Sequence, residues 1–387
     1  CVRVSHVALD DFRSYRHAVV EFAPGTTVLL GSNGQGKTNL VEAVSYLSAF
    51  SSHRVSAEQA LVRLPLSPDE PQPGGAVVRV RLVTAGERET VIELEIVRGK
   101  ANRAKVNRTQ VRPREVLGLL KSVVFSPEDL QIVRGDPQVR RQFLDDLLIQ
   151  QHPLIAQVKN DFDKVARQRA ALMKSAQSQL RRGFTPDFST VEVWDDTFAQ
   201  LSAQLSLARV GLVDELRGPA AHAYEEIGGS PRKLDIEFLA SQGNCPVGGD
   251  VATIAGELKE ILASVRMKEA ERGVNLFGAH RDDLKLTLGG MPVKGYASHG
   301  ETWSVALSLR LGAFELLSRD GDTPILILDD VFAELDSSRR AGLTRMITAA
   351  EQVLITAAVA DDVPQELHAQ VHAVHWDPEL GTVVGDE

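Results

Sequence analysis

Two segments in the first quarter of the chain alternate apolar and charged residues. Valine, leucine and isoleucine occupy every second position over residues 78–82 and again over residues 92–96, with charged side chains between them. A period of two places successive side chains on opposite faces of a strand, and the polar stretch between the segments favours a turn. The pattern therefore predicts a hairpin in a half-solvated antiparallel sheet. The charge pairs expected across it join Arg79 and Arg81 to Glu93 and Glu95.

The apolar patterns of the remaining chain predict strands towards its two ends and helices in its middle. A short buried strand, a glycine-rich loop and a helical spacing of apolar residues follow one another near residue 30, and apolar strands recur at 325–328 and 353–356. From about 121 to 270 the spacing is mostly helical, without the sustained heptads of a long coiled coil. We predict a split α/β head, residues 1–120 and 270–387, interrupted by a mainly helical lobe, residues 121–269.

Composition narrows the class of protein. Hydrophobic residues make up 43% of the 387 positions and charged residues 25%, as in soluble globular proteins, and the formal net charge is −9. An acidic total argues weakly against nucleic-acid binding unless one face is basic. No apolar run is long enough to cross a membrane, and the first thirty residues are not a secretory signal. With only two cysteines, Cys1 and Cys245, no disulfide framework or cysteine-rich metal site is expected, which favours a reducing, cytoplasmic location. Cys1 is an unusual first residue, so we expect the native start to lie upstream.

A phosphate-binding loop is the most specific motif of the chain. A strand precedes it and an amphipathic helix follows it, which is the context that the motif requires. Its glycines allow backbone N–H groups to point at phosphate oxygens, and the helix adds its positive N-terminal end. Lys37 is expected to reach the β- and γ-phosphates of ATP, and Thr38 to bind Mg²⁺. The expected nucleotide-binding residues are Gly31, Ser32, Asn33, Gly34, Gln35, Gly36, Lys37, Thr38 and the adjacent Asn39.

Two carboxylates follow the apolar strand at 325–328. Ligands of open α/β sheets bind at the carboxyl ends of the strands, so we expect Asp329 to hold Mg²⁺. Asp330 would orient or deprotonate the attacking water. The alternative interpretation is a pair of helix N-cap residues after a strand.

A third motif, around Ser298, Gly300 and Glu301, precedes a long apolar helix. It resembles the signature S-x-G-[QE] of ABC-type ATPases, whose serine and glycine contact the γ-phosphate bound by a second subunit. Ser298 and Glu301 also fit a capping box that needs no ligand. The two interpretations are compatible, because a capped helix N-terminus is also suited to binding an anion. The signature interpretation predicts a dimer in which each subunit completes the ATP site of the other.

Further segments make the chain similar to the RecF family. They are 9–15, 31–43, 124–130, 140–145, 280–284 and 328–336, the last of which resembles the D-loop of ABC ATPases. The resemblance implies an ABC-type P-loop ATPase head with an antiparallel β subdomain and an inserted helical lobe. It implies an ATP-dependent homodimer on duplex DNA near single-strand gaps and junctions, which works with RecO and RecR to help load RecA. It also implies a slow, DNA-stimulated ATPase that acts as a switch.

The residues that contact the base and the DNA are less well marked. Arg13 and Tyr15 are candidates for stacking on adenine, and Thr356 is a candidate γ-phosphate sensor. Arg54 is a DNA-facing candidate by its position in the family. Clusters of basic residues along the sequence suit phosphate contact, although each cluster could equally be a solvated face. The first cluster includes Arg103, Lys105, Arg108 and Arg112, and the second lies in the helical lobe and includes Lys159, Lys164, Arg167 and Arg169.

Three other functions share some of these motifs. The ATPase subunit of a membrane transporter would carry a histidine after the last core strand, where this chain has Thr356 and Ala357. An overcoming-lysogenisation-type or other SMC-like DNA-processing ATPase would add a nuclease domain or a coiled-coil arm, and the sequence shows neither. A small-molecule kinase would not need the Ser298–Glu301 segment.

Overall fold

The computed structural model describes residues 2–52, 54, 58–84, 86–227, 231–319, 321, 323–348 and 350–386. Cys1, with its predicted upstream start, lies outside them. The chain forms two compact units. The first comprises Cys1–Leu130, Pro219–Lys233 and Ser298–Glu387, and the second Gln131–Gly218 and Leu234–Ala297. The division expected from the sequence, with boundaries near residues 121 and 269, stays a prediction.

The strands and helices follow in chain order. The strands are β1 (Val2–Phe12), β2 (Tyr15–Glu21), β3 (Gly25–Leu30), β4 (Gly75–Thr84), β5 (Glu89–Val97), β6 (Arg103–Val106), β7 (Thr109–Val111), β8 (Ser122–Phe125), β9 (Leu234–Leu239), β10 (Asp283–Leu288), β11 (Met291–Pro292), β12 (Ile325–Asp329), β13 (Gln352–Ala357), β14 (Gln370–Asp377) and β15 (Gly381–Asp386). The helices are α1 (Lys37–Ala49), α2 (Leu130–Arg134), α3 (Pro137–Gln151), α4 (Ile155–Arg181), α5 (Ser189–Glu226), α6 (Val251–Arg272), α7 (Val293–Tyr296), α8 (His299–Ser318) and α9 (Ser337–Ile347).

A single mixed sheet organises the first unit. Among the described residues its order is β7-β6-β5-β4-β1-β2-β15-β14-β3-β13-β12-β8. The run β14-β3-β13-β12-β8 is parallel, and the remaining pairs are antiparallel. Strand β12 is buried along its whole length, as expected for a central parallel strand. Because β3, β12 and β13 are parallel, the loops that follow them meet at one edge of the sheet.

The predicted hairpin is present, and its register is only partly as expected. Strands β4 and β5 are antiparallel, with Arg79 opposite Glu93, and the Arg79 Nε donates to the Glu93 carboxylate at 2.7 Å. Arg81 faces Val91 and neither of the two glutamates, so this part of the prediction is wrong. In an antiparallel pair each two-residue step forward on one strand is matched by a two-residue step backward on the other. Once Arg79 faces Glu93, Arg81 cannot face Glu95.

The second unit is mainly helical and contains a small antiparallel sheet, β11-β10-β9. Helices α4 and α6 carry buried charges. The Arg169 side chain is fully buried, donates to Asp195 and Glu269 at 2.7 Å and to Asn275 at 2.9 Å, and lies over the Phe198 ring. Its assignment to a basic surface that contacts DNA is therefore wrong. None of the helices in the described ranges combines the length and apolarity needed to cross a bilayer.

Candidate functional site

The loop from Gly31 to Gly36 joins β3 to α1, and its glycines are required by geometry. Gly34 and Gly36 have φ angles of 84° and 104°, which side chains disfavour. A Cβ at Gly31 would lie 2.1 Å from the Val374 carbonyl oxygen, and one at Gly36 would lie 2.4 Å from the Thr382 Oγ1. The N-terminus of α1 has no side-chain cap. Its first N–H groups therefore remain available to an anion.

Lys37 closes this loop. Its Nζ donates to the carbonyl oxygens of Gly31 at 2.7 Å and Ser32 at 3.2 Å, and the residue is only 3% exposed. An ammonium buried against neutral carbonyls carries a charge that no carboxylate among these contacts offsets. Such an arrangement is suited to a phosphate ligand.

Thr38 and Asp329 meet at the carboxyl edge of the sheet. The Asp329 Oδ1 accepts hydrogen bonds from the Thr38 hydroxyl at 2.8 Å and from the Thr356 hydroxyl at 2.6 Å. Asp329 and Thr356 are partners in the parallel ladder between β12 and β13. The structure thus brings together Thr38 and Asp329, which lie 291 positions apart and which are both predicted to bind magnesium.

Asp330 has a special backbone conformation. Its φ is +52°, in the left-handed region that non-glycine residues seldom occupy. The Thr356 hydroxyl, which donates to Asp329, accepts from the Asp330 backbone N–H at 2.9 Å. Thr356 therefore holds the Asp329 carboxylate and the Asp330 backbone, a positioning role that sequence reasoning missed because it treated this residue only as a phosphate sensor.

The signature segment forms the predicted capping box at the start of α8. The Ser298 hydroxyl accepts from the Glu301 N–H at 3.2 Å, and the Glu301 carboxylate accepts from the Ser298 N–H at 2.9 Å. Arg232 forms an ion pair with the same carboxylate. Ser298 is exposed. Arginine thus offsets the negative charge of Glu301 beside a helix N-terminus, and sequence reasoning missed this partner.

Gly300 and the D-loop segment are connected through Arg339. A Cβ at Gly300 would lie 2.6 Å from the Arg339 guanidinium. The Arg339 Nε donates to Ser304 of α8 at 2.9 Å, and the Asp336 carboxylate accepts from the Arg339 N–H at 2.9 Å and pairs with its guanidinium. The missing side chain at Gly300 therefore leaves room for the end of the Arg339 side chain between the two motifs.

Arg13 and Arg54 both approach the buried Glu42 of α1. Arg13 donates to the two Glu42 carboxylate oxygens at 2.8 and 2.6 Å. Arg54 lies 3.6 Å from the same carboxylate and donates to the Asn39 Oδ1 at 2.7 Å. Glu42 was missed, although an acid on the apolar side of α1 is a visible signal. Tyr15 is fully buried with its hydroxyl donating to the Gly36 carbonyl at 3.1 Å, so its predicted stacking on adenine is wrong.

The basic residues proposed for DNA contact lie at the outer edge of the sheet. Lys105 donates to Glu93 at 2.7 Å and Arg103 lies 3.6 Å from Glu95, and both remain exposed. Hydrogen bonds from Lys105 and then Arg79 lower the pKa of Glu93, which keeps it ionised. Arg108 and Arg112 are exposed, and Arg108 occupies the β6–β7 turn with a φ of +69°.

Comparison with known proteins assigns this architecture to a family. The family model for the RecF/RecN/SMC N-terminal domain matches residues 3–375. The DNA replication and repair protein RecF of Frankia alni is 48% identical over 370 residues, covering 95% of this chain and 96% of that protein. RecF of Beutenbergia cavernae is 49% identical over 387 residues, covering 94% and 96%. The chain belongs to the RecF family.

Solved structures of RecF share the whole fold. The recombination mediator protein RecF-ATPrS of the RecFOR pathway superposes with a TM-score of 0.86 at 27% identity, covering 100% of this chain and 98% of that one. An SMC head domain from Pyrococcus furiosus gives a TM-score of 0.53 at 15% identity, which shows a common fold. The expected ABC-type ATPase head, with its antiparallel strands and helical lobe, is thereby confirmed.

Proposed function

We propose that the protein is an ATP-switched, DNA-binding recombination mediator of DNA repair and replication restart. ATP binding would pair two copies on duplex DNA near single-strand gaps, and slow, DNA-stimulated hydrolysis would release them. In this role it would act in the cytoplasm with RecO and RecR to support RecA loading. The support comes from the RecF relatives and from the geometry of the loop and the strand ends.

One observation carries the nucleotide assignment. The Thr38 hydroxyl and the Asp329 carboxylate meet at 2.8 Å, directly beside the loop that holds Lys37. Hydroxyl and carboxylate oxygens are the hard ligands that Mg²⁺ prefers, and Mg²⁺ commonly uses one or two carboxylates together with substrate phosphates. The residues therefore fit the ion: Thr38 and Asp329 would hold it. When bound, Mg²⁺ neutralises charge on the phosphate oxygens.

The protein groups around the nucleotide would have separate roles in binding the phosphates and in activating water. Lys37 would exchange its two carbonyl partners for β- and γ-phosphate oxygens. Backbone N–H groups at the end of the loop and the start of α1 would donate to the phosphates. Asp330 would orient the attacking water and accept its proton. Its aspartate side chain is shorter than the glutamate usual in ABC proteins, which is consistent with slow turnover.

The signature supports a site shared between two copies. Ser298 and the Gly300 backbone would contact the γ-phosphate held by a partner subunit, aided by the N-terminal end of α8. Glu301 would otherwise repel that phosphate, and its ion pair with Arg232 offsets this repulsion. Loss of the γ-phosphate would remove a bridge between subunits and favour separation.

The DNA contacts proposed are Arg54, Arg103, Lys105, Arg108 and Arg112. Their exposure or position at the sheet edge suits sequence-independent phosphate contact. The ion pairs of Arg103 and Lys105 with glutamates weaken their part of the proposal, because a phosphate would have to compete with a carboxylate. Arg108 is the stronger candidate.

Sedimentation of the parent protein and Asp330→Asn, with ATP or ADP and with or without duplex DNA, tests the switch. We expect ATP to convert the parent to a dimer and ADP to leave it monomeric. The variant should bind ATP, remain dimeric for longer and dissociate from DNA more slowly, because hydrolysis is blocked. Equal DNA lifetimes for the two proteins, or a parent that stays monomeric with ATP, would refute the switch.

A further inference from the structure

The geometry around the loop leaves the nucleotide base without the partners that the sequence suggested. Tyr15 is part of the core, and burial raises the pKa of its hydroxyl far above the usual value. The Arg13 guanidinium donates from its Nε, Nη1 and Nη2 to Glu42 and to the Ala60 carbonyl, and the side chain is only 15% exposed, which leaves little of its flat face open to a base. A base held by the phosphate loop therefore needs another flat surface.

Trp376, at the end of β14, lies beside this loop. Its backbone N–H donates to the Gln35 side-chain oxygen at 2.5 Å. In the ladder between β14 and β15, Trp376 is directly opposite Thr382. The Thr382 hydroxyl in turn donates to the Gln35 carbonyl at 2.9 Å and accepts from the Ser14 hydroxyl at 2.7 Å. Two cross-strand neighbours thus hold one residue of the loop.

The register also fixes the face on which the indole lies. Directly opposite residues of an antiparallel pair project to the same face of the sheet. The Thr382 side chain lies where a Cβ of Gly36 would lie, at the N-terminus of α1. Val374, two residues before Trp376 and so on the same face, is buried in the core. The Trp376 side chain therefore projects from the same face of the sheet as Val374 and Thr382, beyond the core and next to the start of α1.

Exposure separates this tryptophan from a packing residue. Trp376 is 46% exposed, whereas Trp303 of α8 is 2% exposed. Large aromatic side chains bury most of their surface when packing is their only role. An indole left open beside a phosphate-binding loop offers a flat apolar surface to the base of a nucleotide that this loop holds.

We propose that Trp376 stacks on the base of the nucleotide bound by the phosphate loop. This inference rests on the proposed nucleotide site and adds the residue that recognises its base. Stacking uses the π-face that every base presents, so it accepts any base, and it favours purines because their rings are larger. The site should then prefer ATP and GTP over CTP and UTP, without strong discrimination between the two purines.

Calorimetric titration of Trp376→Ala with ATP and with inorganic tripolyphosphate tests the proposal. The substitution keeps the backbone N–H that bonds Gln35, so the loop retains its support. We expect ATP affinity to fall by roughly five- to a hundredfold, as for the loss of one aromatic–base stack, and tripolyphosphate affinity to stay unchanged. Trp376→Phe should keep most of the ATP affinity. In the parent, ATP should quench tryptophan fluorescence, and this quenching should vanish in Trp376→Phe.

Two comparison variants separate the possible failures. Phe184→Ala removes an aromatic side chain that is 65% exposed in the helical unit and should change neither affinity. Lys37→Met should weaken the binding of both ATP and tripolyphosphate. Unchanged ATP affinity in Trp376→Ala, or an equal loss for both ligands, would overturn the role of Trp376 while leaving the nucleotide site intact. Parental affinity for both ligands in Lys37→Met would overturn the nucleotide site itself.

Discussion

Lys37 in the first unit and Arg209 in the mainly helical second unit are both buried cations, but they have different kinds of hydrogen-bond partner. Lys37 donates to two backbone carbonyls. Arg209 donates to both oxygens of Asp145, to Asp282 and to the Ala279 carbonyl, and two carboxylates thus offset one guanidinium. A buried charge is costly unless it is paired. The first cation is arranged for an anionic ligand, whereas the second is satisfied within the fold.

The same contrast separates the phosphate loop from the buried charge networks of the second unit. Around Arg209 and Arg169, acids and arginines saturate one another, and they connect helices with the turn at Asp282. At the loop of the head, helix N–H groups and the Lys37 ammonium face no carboxylate in the contacts described above. The partners of a buried charge therefore distinguish a structural network from a binding site better than burial does.

Removing Arg209 should have the largest effect on stability. Arg209→Met leaves Asp145 and Asp282 buried without their main partner, and breaking such a pair costs about 3–5 kcal/mol. Thermal and urea unfolding of parent and variant would measure this loss. Arg209→Lys, which keeps the charge but not the forked geometry, should lose less. An unfolding free energy equal to that of the parent would contradict the structural role of this network.

Removing the Lys37 ammonium should affect binding and leave folding almost unchanged. Lys37→Met loses only carbonyl partners in the free protein, but it loses charge-assisted bonds to phosphate, which corresponds to about a hundredfold in ATP affinity. Calorimetric titration and a melting curve measure the two effects separately. A large fall in melting temperature with ATP affinity preserved would reverse the contrast drawn with Arg209.

His280 should make the helical unit sensitive to acid. Burial lowers its pKa from 6.5 to about 4, and its Nε2–H donates to the Asn275 carbonyl. Because the unfolded chain takes up the proton more readily, the neutral histidine contributes stability that is present above pH 6.5 and lost as pH falls towards 4. The loss at pH 5 is about 2 kcal/mol. Urea unfolding at pH 7 and pH 5 should show a larger decrease for the parent than for His280→Gln, and equal decreases would contradict this.

Substituting Arg108 should have the smallest effect of the four, and it should change stability and DNA affinity in different directions. Glycine favours the left-handed turn position that Arg108 occupies. Arg108→Gly should therefore leave the fold as stable or make it slightly more stable. If the side chain contacts a DNA phosphate, the variant should bind duplex DNA a few-fold more weakly, with a salt slope lower by about one. Arg108→Lys is the matched control. Weaker binding accompanied by a lower melting temperature would indicate a structural effect.

The contacts that sequence predicted are those that local chemistry determines. The phosphate loop is one contiguous motif, and the left-handed angles of Gly34 and Gly36 need glycine whatever surrounds them. The position of Asp329 followed from a buried strand that ends at the carboxyl edge of the sheet. The capping box of Ser298 and Glu301 depends on three-residue spacing alone.

The features that sequence reasoning missed depend on distant parts of the chain. Tyr15 belongs to the core of the first unit and pairs across the sheet with Gly381, and Arg169 is neutralised by acids 26 and 100 positions away. The contact between Gln35 and Trp376 spans 341 positions. Periodicity reports which face a residue occupies, and it cannot report what lies against that face.

A mixing experiment tests most directly the proposal that two copies share each ATP site. Ser298→Asp keeps a good N-cap for α8 but places negative charge against the γ-phosphate, and Ser298→Asn supplies the neutral cap as control. Lys37→Met and Ser298→Asp should each be inactive alone. After random pairing, one of the two sites in each mixed dimer is intact, so about a quarter of the parental ATPase activity should return. If the mixture stays as inactive as its two components, no site is shared between subunits and the account is contradicted.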